Sequence, residues 1–175
     1  MYLNKIKLFL VISICLIFFF LTYNDVKSEE VKIISGIAKV TDGDTIRIEG
    51  KKIRLFGIDA PEKKQQCKQA WLTVSFFTLN KDYPCGEIST NMLKSKINGK
   101  FITCKWINKD RYKRFIAECF LDKTNINAWM VRNGHAVAYK KYSKKFVVQE
   151  NIAKKEKFGL WSGNFQMPWD FRKKN

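Results

Sequence analysis

Two short stretches hold most of the side chains able to do chemistry. Val40 to Ile48 reads VTDGDTIRI and sets Asp42 and Asp44 astride Gly43 where β-branched residues otherwise announce a strand. Ile53 to Glu62 reads IRLFGIDAPE, an apolar run carrying Arg54, Asp59 and Glu62. Carboxylates brought together raise one another's pKa unless a cation sits between them, and oxygen donors suit a hard cation. An arginine inside an apolar strand must find an anion. A structural pair of Arg54 with Asp59, and capping roles for acids beside glycine, are the plainer uses of the same residues.

For these stretches to share one site, a hairpin must join them. Glu49-Gly50-Lys51 reads as its turn. Centred between Gly50 and Lys51, it sets Ile48 opposite Ile53, Ile46 opposite Leu55 and Asp44 opposite Gly57. Alternation then puts Asp44 and Asp59 on one face at the open end, with Asp42 a turn-forming residue outside the pair. Strict alternation leaves Arg54 on the other face, so a bend is expected, with Gly57 its natural place.

A third cluster, Asp110-Arg111-Tyr112-Lys113-Arg114, gathers cations and an aromatic at a second hairpin tip. Phe101 to Ile107 and Phe115 to Leu121 flank it as strands, and a turn centred between Arg111 and Tyr112 sets Cys104 opposite Cys119. Cys67 and Cys85 are left to pair with each other. With no Cys-x-x-Cys spacing, the four cysteines read as two disulfides rather than a zinc site.

The remaining elements follow from periodicity and stop signals. Val31 to Val40 and the two halves of Thr45 to Ile58 give three antiparallel strands. Gly86 to Asn98 reads as a short amphipathic helix, and Asn125 as the N-cap of a helix presenting Ile126, Trp129 and Met130, ended at Gly134. A last helix is expected over Ser143 to Lys157 with Val148 and Ile152 inward. Trp71 to Leu79 admits helix or buried loop. The aromatics of Trp161 to Trp169 should lock the tail onto the body. This order suits a small five-stranded barrel.

The chain's 175 residues allow one domain, and 33 Lys and Arg against 16 Asp and Glu give a net charge of +17. Such a field concentrates polyanions, nucleic acid first, and no strongly amphipathic basic helix argues for a membrane surface. Lys5 and Lys7 before the apolar run Leu8 to Tyr23, then Val26-Lys27-Ser28, read as a signal peptide over 1–28 ahead of a domain over 29–175. An uncleaved anchor is the rival reading. Cleavage leaves a charge of +15. The single histidine, His135, following Gly134 at a helix end, speaks against nucleases that need a histidine base. Asp44 with Glu62-Lys63-Lys64 superficially matches another nuclease metal site, but Glu62 follows Pro61 into a polar segment instead of lying on a strand.

DGDTI, IRLFGIDAPE, DRYKR, AYKKYS and AKKEKFGLWSG, in that order, resemble the thermonuclease (staphylococcal nuclease-like) family, in its secreted, disulfide-containing branch. The resemblance implies an α+β, mainly β chain: an OB-fold, a five-stranded Greek-key barrel with about three helices. It implies calcium-dependent hydrolysis of phosphodiesters in DNA and RNA, leaving 3′-phosphate ends. Asp44 and Asp59 match calcium ligands, with Ala60 giving a main-chain carbonyl. Arg54 and Arg114 match the pair gripping the scissile phosphate, and Glu62 matches the general base. Arg111, Tyr112 and Tyr139 match the nucleotide pocket, and exposed aromatics there favour single-stranded substrates. The family's glycine before the second arginine is Lys113 here, which strains the turn if a positive φ is needed. A monomer, secreted or periplasmic unless anchored, is expected. A non-catalytic OB-fold nucleic-acid binder is the alternative, but binding alone gains nothing from acids facing phosphates.

Overall fold

The computed structural model describes residues 31–97 and 99–174, so the leader expected over 1–28 lies outside the described residues. The chain starts as a meander: β1 (Lys32–Asp42), β2 (Thr45–Ile48) and β3 (Lys51–Leu55). A two-residue strand β4 (Ile58–Asp59) follows, then a hairpin of β5 (Cys67–Val74) and β6 (Phe77–Tyr83), and helix α1 (Cys85–Ile97). Next come β7 (Phe101–Lys109), β8 (Phe115–Leu121), the short β9 (Thr124–Asn125), α2 (Ile126–Arg132) and β10 (Val137–Ala138). Helix α3 (Val147–Lys155), a single 3₁₀ turn (Gly159–Ser162), β11 (Gly163–Asn164) and α4 (Pro168–Lys174) complete the chain.

The main sheet runs β3-β2-β1-β7-β8-β9, and β3 also pairs with β8 in parallel, which closes β1, β2, β3, β7 and β8 into a barrel. This is the expected OB-fold, with a fourth helix, α4, that the sequence pattern did not announce. Alternation sends Ile34, Ile46, Ile48, Ile53, Leu55 and Ile102 inward, joined by Leu93 and Ile97 of α1 and Met130 of α2. Each such side chain contributes about 1.5–3 kcal/mol by leaving water.

Both disulfides form as expected, Cys67 with Cys85 and Cys104 with Cys119. Cys104 and Cys119 are paired across β7 and β8, as the hairpin register required.

Three expectations are corrected. The β2–β3 turn is Glu49-Gly50, both at positive φ, so Ile46 faces Ile53 and Thr45 faces Arg54, with the centre of the turn one residue nearer the N-terminus than expected. Pairing partners move by two positions, which preserves the side each residue faces. Trp71 to Leu79 is neither helix nor buried loop but part of the exposed β5–β6 hairpin. The last amphipathic helix is shorter than expected, Val147–Lys155, and turns Glu150 and Ala153 inward while Val148 is exposed.

Candidate active site

The acids and Arg54 are brought together by a close approach of three segments. Gly43 stands where a Cβ would lie 2.3 Å from Ser89 Oγ and 2.7 Å from the Ala60 Cβ, so the Asp42–Asp44 loop can press against α1 and β4 only through glycine. Gly57, at φ 71°, breaks β3 from β4 and supplies the expected bend. Beyond it, β10 holds β4 by pairing Val137 with Asp59.

As a result Arg54 reaches both acids. Its Nη1 lies 2.8 Å from Asp44 Oδ2 and its Nη2 lies 2.6 Å from Asp59 Oδ1. Burial works against the Arg54 charge, but Asp44 and Asp59 outweigh it and raise the guanidinium's pKa further. Asp44 is further held by donation from Thr45 Oγ1 at 2.9 Å and the Ala60 N–H at 3.2 Å. Burial pushes the Asp59 carboxyl above the usual carboxylate range, against the pull of Arg172 and Arg54. Asp42 is also raised, first by burial and then by the nearby Asp44 and Glu62 charges, and it accepts from the Gly43 N–H and Thr90 Oγ1. Asp42 thus ties the loop to α1, the turn-forming use read from the sequence.

Sequence reasoning missed Arg172, which enters from α4. Its Nη2 donates to Asp59 Oδ2 at 2.7 Å and its Nη1 to Glu62 Oε1 at 2.8 Å. Buried Asp59 is therefore clasped by two guanidiniums, and Glu62 is drawn to the same end. Trp169, one turn before Arg172, stacks on Tyr139 with ring centroids 5.4 Å apart and planes 6° from parallel. Pro168 opening a helix with Asp170 in its first turn and cations in its last was the signal that could have found α4. Its cations instead resemble a solvated tail.

The second cluster stands by itself. Asp110 accepts from the Tyr112 and Arg114 N–H groups and from Arg114 Nε at 2.7 Å, closing the β7–β8 tip on Arg114. Partial burial pushes the Asp110 carboxyl up, and the Arg114 bonds overturn this to hold it below the usual range. Lys113 adopts φ 60°, so the turn does demand the conformation glycine favours. The exposed Tyr112 ring has Arg111 at 4.8 Å and Arg114 at 5.3 Å. Since Arg54 pairs with Ile116, Arg114 lies at the head of the strand beside Arg54's own. The arginine engages Asp110, whereas Arg54 engages Asp44 and Asp59.

Among the described residues no three acidic, histidine or cysteine side chains converge as a ready-made metal cage. The donor chemistry nevertheless fits a hard divalent cation: two buried carboxylates meet, and the Arg172 guanidinium acts as a stand-in cation on one of them. His135 has its pKa lowered by burial, and its ring lies against Trp129 at 5.5 Å, away from these acids' contacts.

A sequence model described as staphylococcal nuclease homologue matches residues 52–163. The chain is 37% identical over 147 residues to an Escherichia coli protein named as an uncharacterized endonuclease, covering 78% of this chain and 84% of that one. It is 34% identical over 131 residues to the succinoglycan biosynthesis protein ExoI of Rhizobium meliloti, 73% of this chain and 64% of that one. A Haemophilus influenzae protein also named as an uncharacterized endonuclease is 35% identical over 136 residues, 73% of this chain and 66% of its own length.

Proposed function

The chain belongs to the staphylococcal nuclease family and is an endonuclease that hydrolyses nucleic acid, and we propose that it is a secreted, calcium-dependent enzyme cutting DNA and RNA without sequence preference to leave 3′-phosphate ends. The observation that carries this reading is the convergence of Asp44, Asp59 and Arg54 within 2.8 Å contacts, with Glu62 tied to Asp59 through Arg172. A leader over 1–28 and a single nuclease domain over 29–175 belong to the same proposal.

A phosphodiester resists attack because its own charge repels nucleophiles. Asp44, Asp59 and the Ala60 main-chain carbonyl would hold calcium, which would supply positive charge to offset that of the phosphate. With a cation on Asp44 and Asp59, Arg54 would turn the forked donors it gives these carboxylates toward the charge that builds on the phosphate as the fifth bond forms. Arg114 does the same after exchanging Asp110 for phosphate. Glu62 takes the proton of the attacking water, a contribution of about 100-fold to 10,000-fold. Arg111, Tyr112 and Tyr139 receive the nucleotide, Tyr112 and Tyr139 by stacking on unpaired bases, which favours single strands. Arg172 must release Asp59 and Glu62 for both acids to act, and Trp169 must uncover Tyr139. The lysine-rich surface gives sequence-independent affinity.

The test is digestion of denatured DNA with calcium and with chelator, followed by end analysis. Cleavage abolished by chelator, with phosphate retained on the 3′ ends, is expected. Equal cleavage under chelator, or 5′-phosphate ends, overturns the reading.

A further inference from the structure

The β5–β6 hairpin is an exposed apolar finger on a strongly basic chain, and we propose that it docks the protein onto anionic lipid bilayers. Leu72 faces Leu79 and Val74 faces Phe77 in its register, so these four side chains share one face of the ribbon. Thr73 and Thr78 oppose each other on the other face, their hydroxyls 3.3 Å apart. Phe76 at the turn is 86% exposed, Phe77 69% and Trp71 67%. From Ala70 to Asn80 the chain carries no charge, in a sequence that is 28% charged overall. Soluble surfaces seldom leave such a cluster in water without a partner.

The arrangement of charge selects the occupant. Lys68 and Lys81 stand at the root of the hairpin with Asp82 opposite Lys68, and Lys63 and Lys64 lie in the chain that enters it, so cations outnumber the one acid there. An uncharged apolar tip with cations behind it matches a bilayer edge, where acyl chains lie beneath anionic headgroups. Trp71, Phe76 and Phe77 could stack on bases, but between Ala70 and Asn80 no cation stands beside them to take the phosphates, and Leu72, Val74 and Leu79 extend the face as aliphatic surface. A second copy brings a like charge of +17 against the first. The hairpin's backbone edges keep it at the interface, since unpaired N–H and C=O groups cannot enter hydrocarbon. The Cys67–Cys85 disulfide and the pairing of β5 with β11 fix the root to the body.

The experiment is hydrogen–deuterium exchange of the full chain, read peptide by peptide so that the finger is observed separately from the apolar segment at residues 8–23. Vesicles of phosphatidylcholine with phosphatidylserine should slow exchange over 70–80 by about tenfold or more, and pure phosphatidylcholine should do so less. A Phe76→Ser/Phe77→Ser variant should lose this protection while digesting free DNA as before. Protection that persists in the double variant, or that falls only outside 70–80, overturns the proposal. So does protection of 70–80 by denatured DNA, or by raised protein concentration, in place of vesicles. The exchange readout depends neither on calcium nor on the acids of the nuclease site, so its failure is distinct from a failure of the nuclease reading; digestion of free DNA serves only to show that the variant is folded.

Discussion

Replacing Arg172 by alanine separates the roles of the cation and the guanidinium at the acidic site. Arg172 donates to the fully buried Asp59 at 2.7 Å and to the partly exposed Glu62 at 2.8 Å. A charge-assisted bond to a buried carboxylate is worth about 1.5–3 kcal/mol. The arm to Glu62, with both side chains about one-third exposed, adds about 1 kcal/mol at most after screening. If calcium enters by displacing the Asp59 arm, removing Arg172 tightens calcium binding by about tenfold to a hundredfold. Without calcium the variant is less stable, its melting temperature falling by about 4–10 °C. With saturating calcium the deficit closes, because the cation supplies the charge that Arg172 supplied. Arg172→Lys keeps the charge without the forked geometry and falls between the two proteins. Calorimetric titration with calcium, paired with thermal unfolding in chelator and in calcium, reads both effects. Calcium affinity unchanged or weakened in Arg172→Ala would refute displacement at Asp59.

Three further outcomes follow from the same contacts. Lys113→Gly relieves a positive φ in the β7–β8 turn and should raise stability by about 1 kcal/mol, or about 3 °C by calorimetry. Gly86→Ala sets a Cβ 1.8 Å from the Glu62 carbonyl oxygen, so backbone must move and cleavage should fall about tenfold or more with a lowered melting temperature. Burial pushes the Glu150 carboxyl up, but Lys140 and Lys154 overturn this and lower its pKa from 4.5. Its contribution is therefore present above pH 4.5 and lost as pH falls through the lower folded value. Glu150→Gln should cost about 1–3 kcal/mol at neutral pH, and denaturant unfolding below that window should show the two proteins converging.

The elements read best from the sequence were those whose neighbours are local. The β7–β8 pairing brought Cys104 to Cys119 as read, although an irregularity between Trp106 and Asn108 pairs Lys109 with Phe115 and moves the centre of the turn onto Tyr112. Asn125 caps α2 as its residue type and position required, accepting from the Ala128 N–H. Asp44, Asp59 and Arg54 could be brought together because β2 and β3 are consecutive and Gly57 offered the bend. The turn register was misplaced because Gly50-Lys51 and Glu49-Gly50 are equally good breakers, and only the positive φ at Glu49 decides between them. What remained hidden depends on long-range packing. Arg172 lies 113 residues from Asp59, and nothing local distinguishes it from the neighbouring Lys173 and Lys174. The β5–β6 segment misled because aromatics normally imply burial, whereas here a disulfide at the root supports an exposed finger.

In the proposed mechanism Glu62 takes the proton of the attacking water beside a calcium ion held by Asp44 and Asp59. Single-turnover cleavage of denatured DNA by Glu62→Gln at saturating calcium tests it most directly, with calcium affinity measured on the same preparation. The rate should fall by about 100-fold to 10,000-fold with calcium still bound. A variant that binds calcium and cuts at the wild-type rate would contradict it.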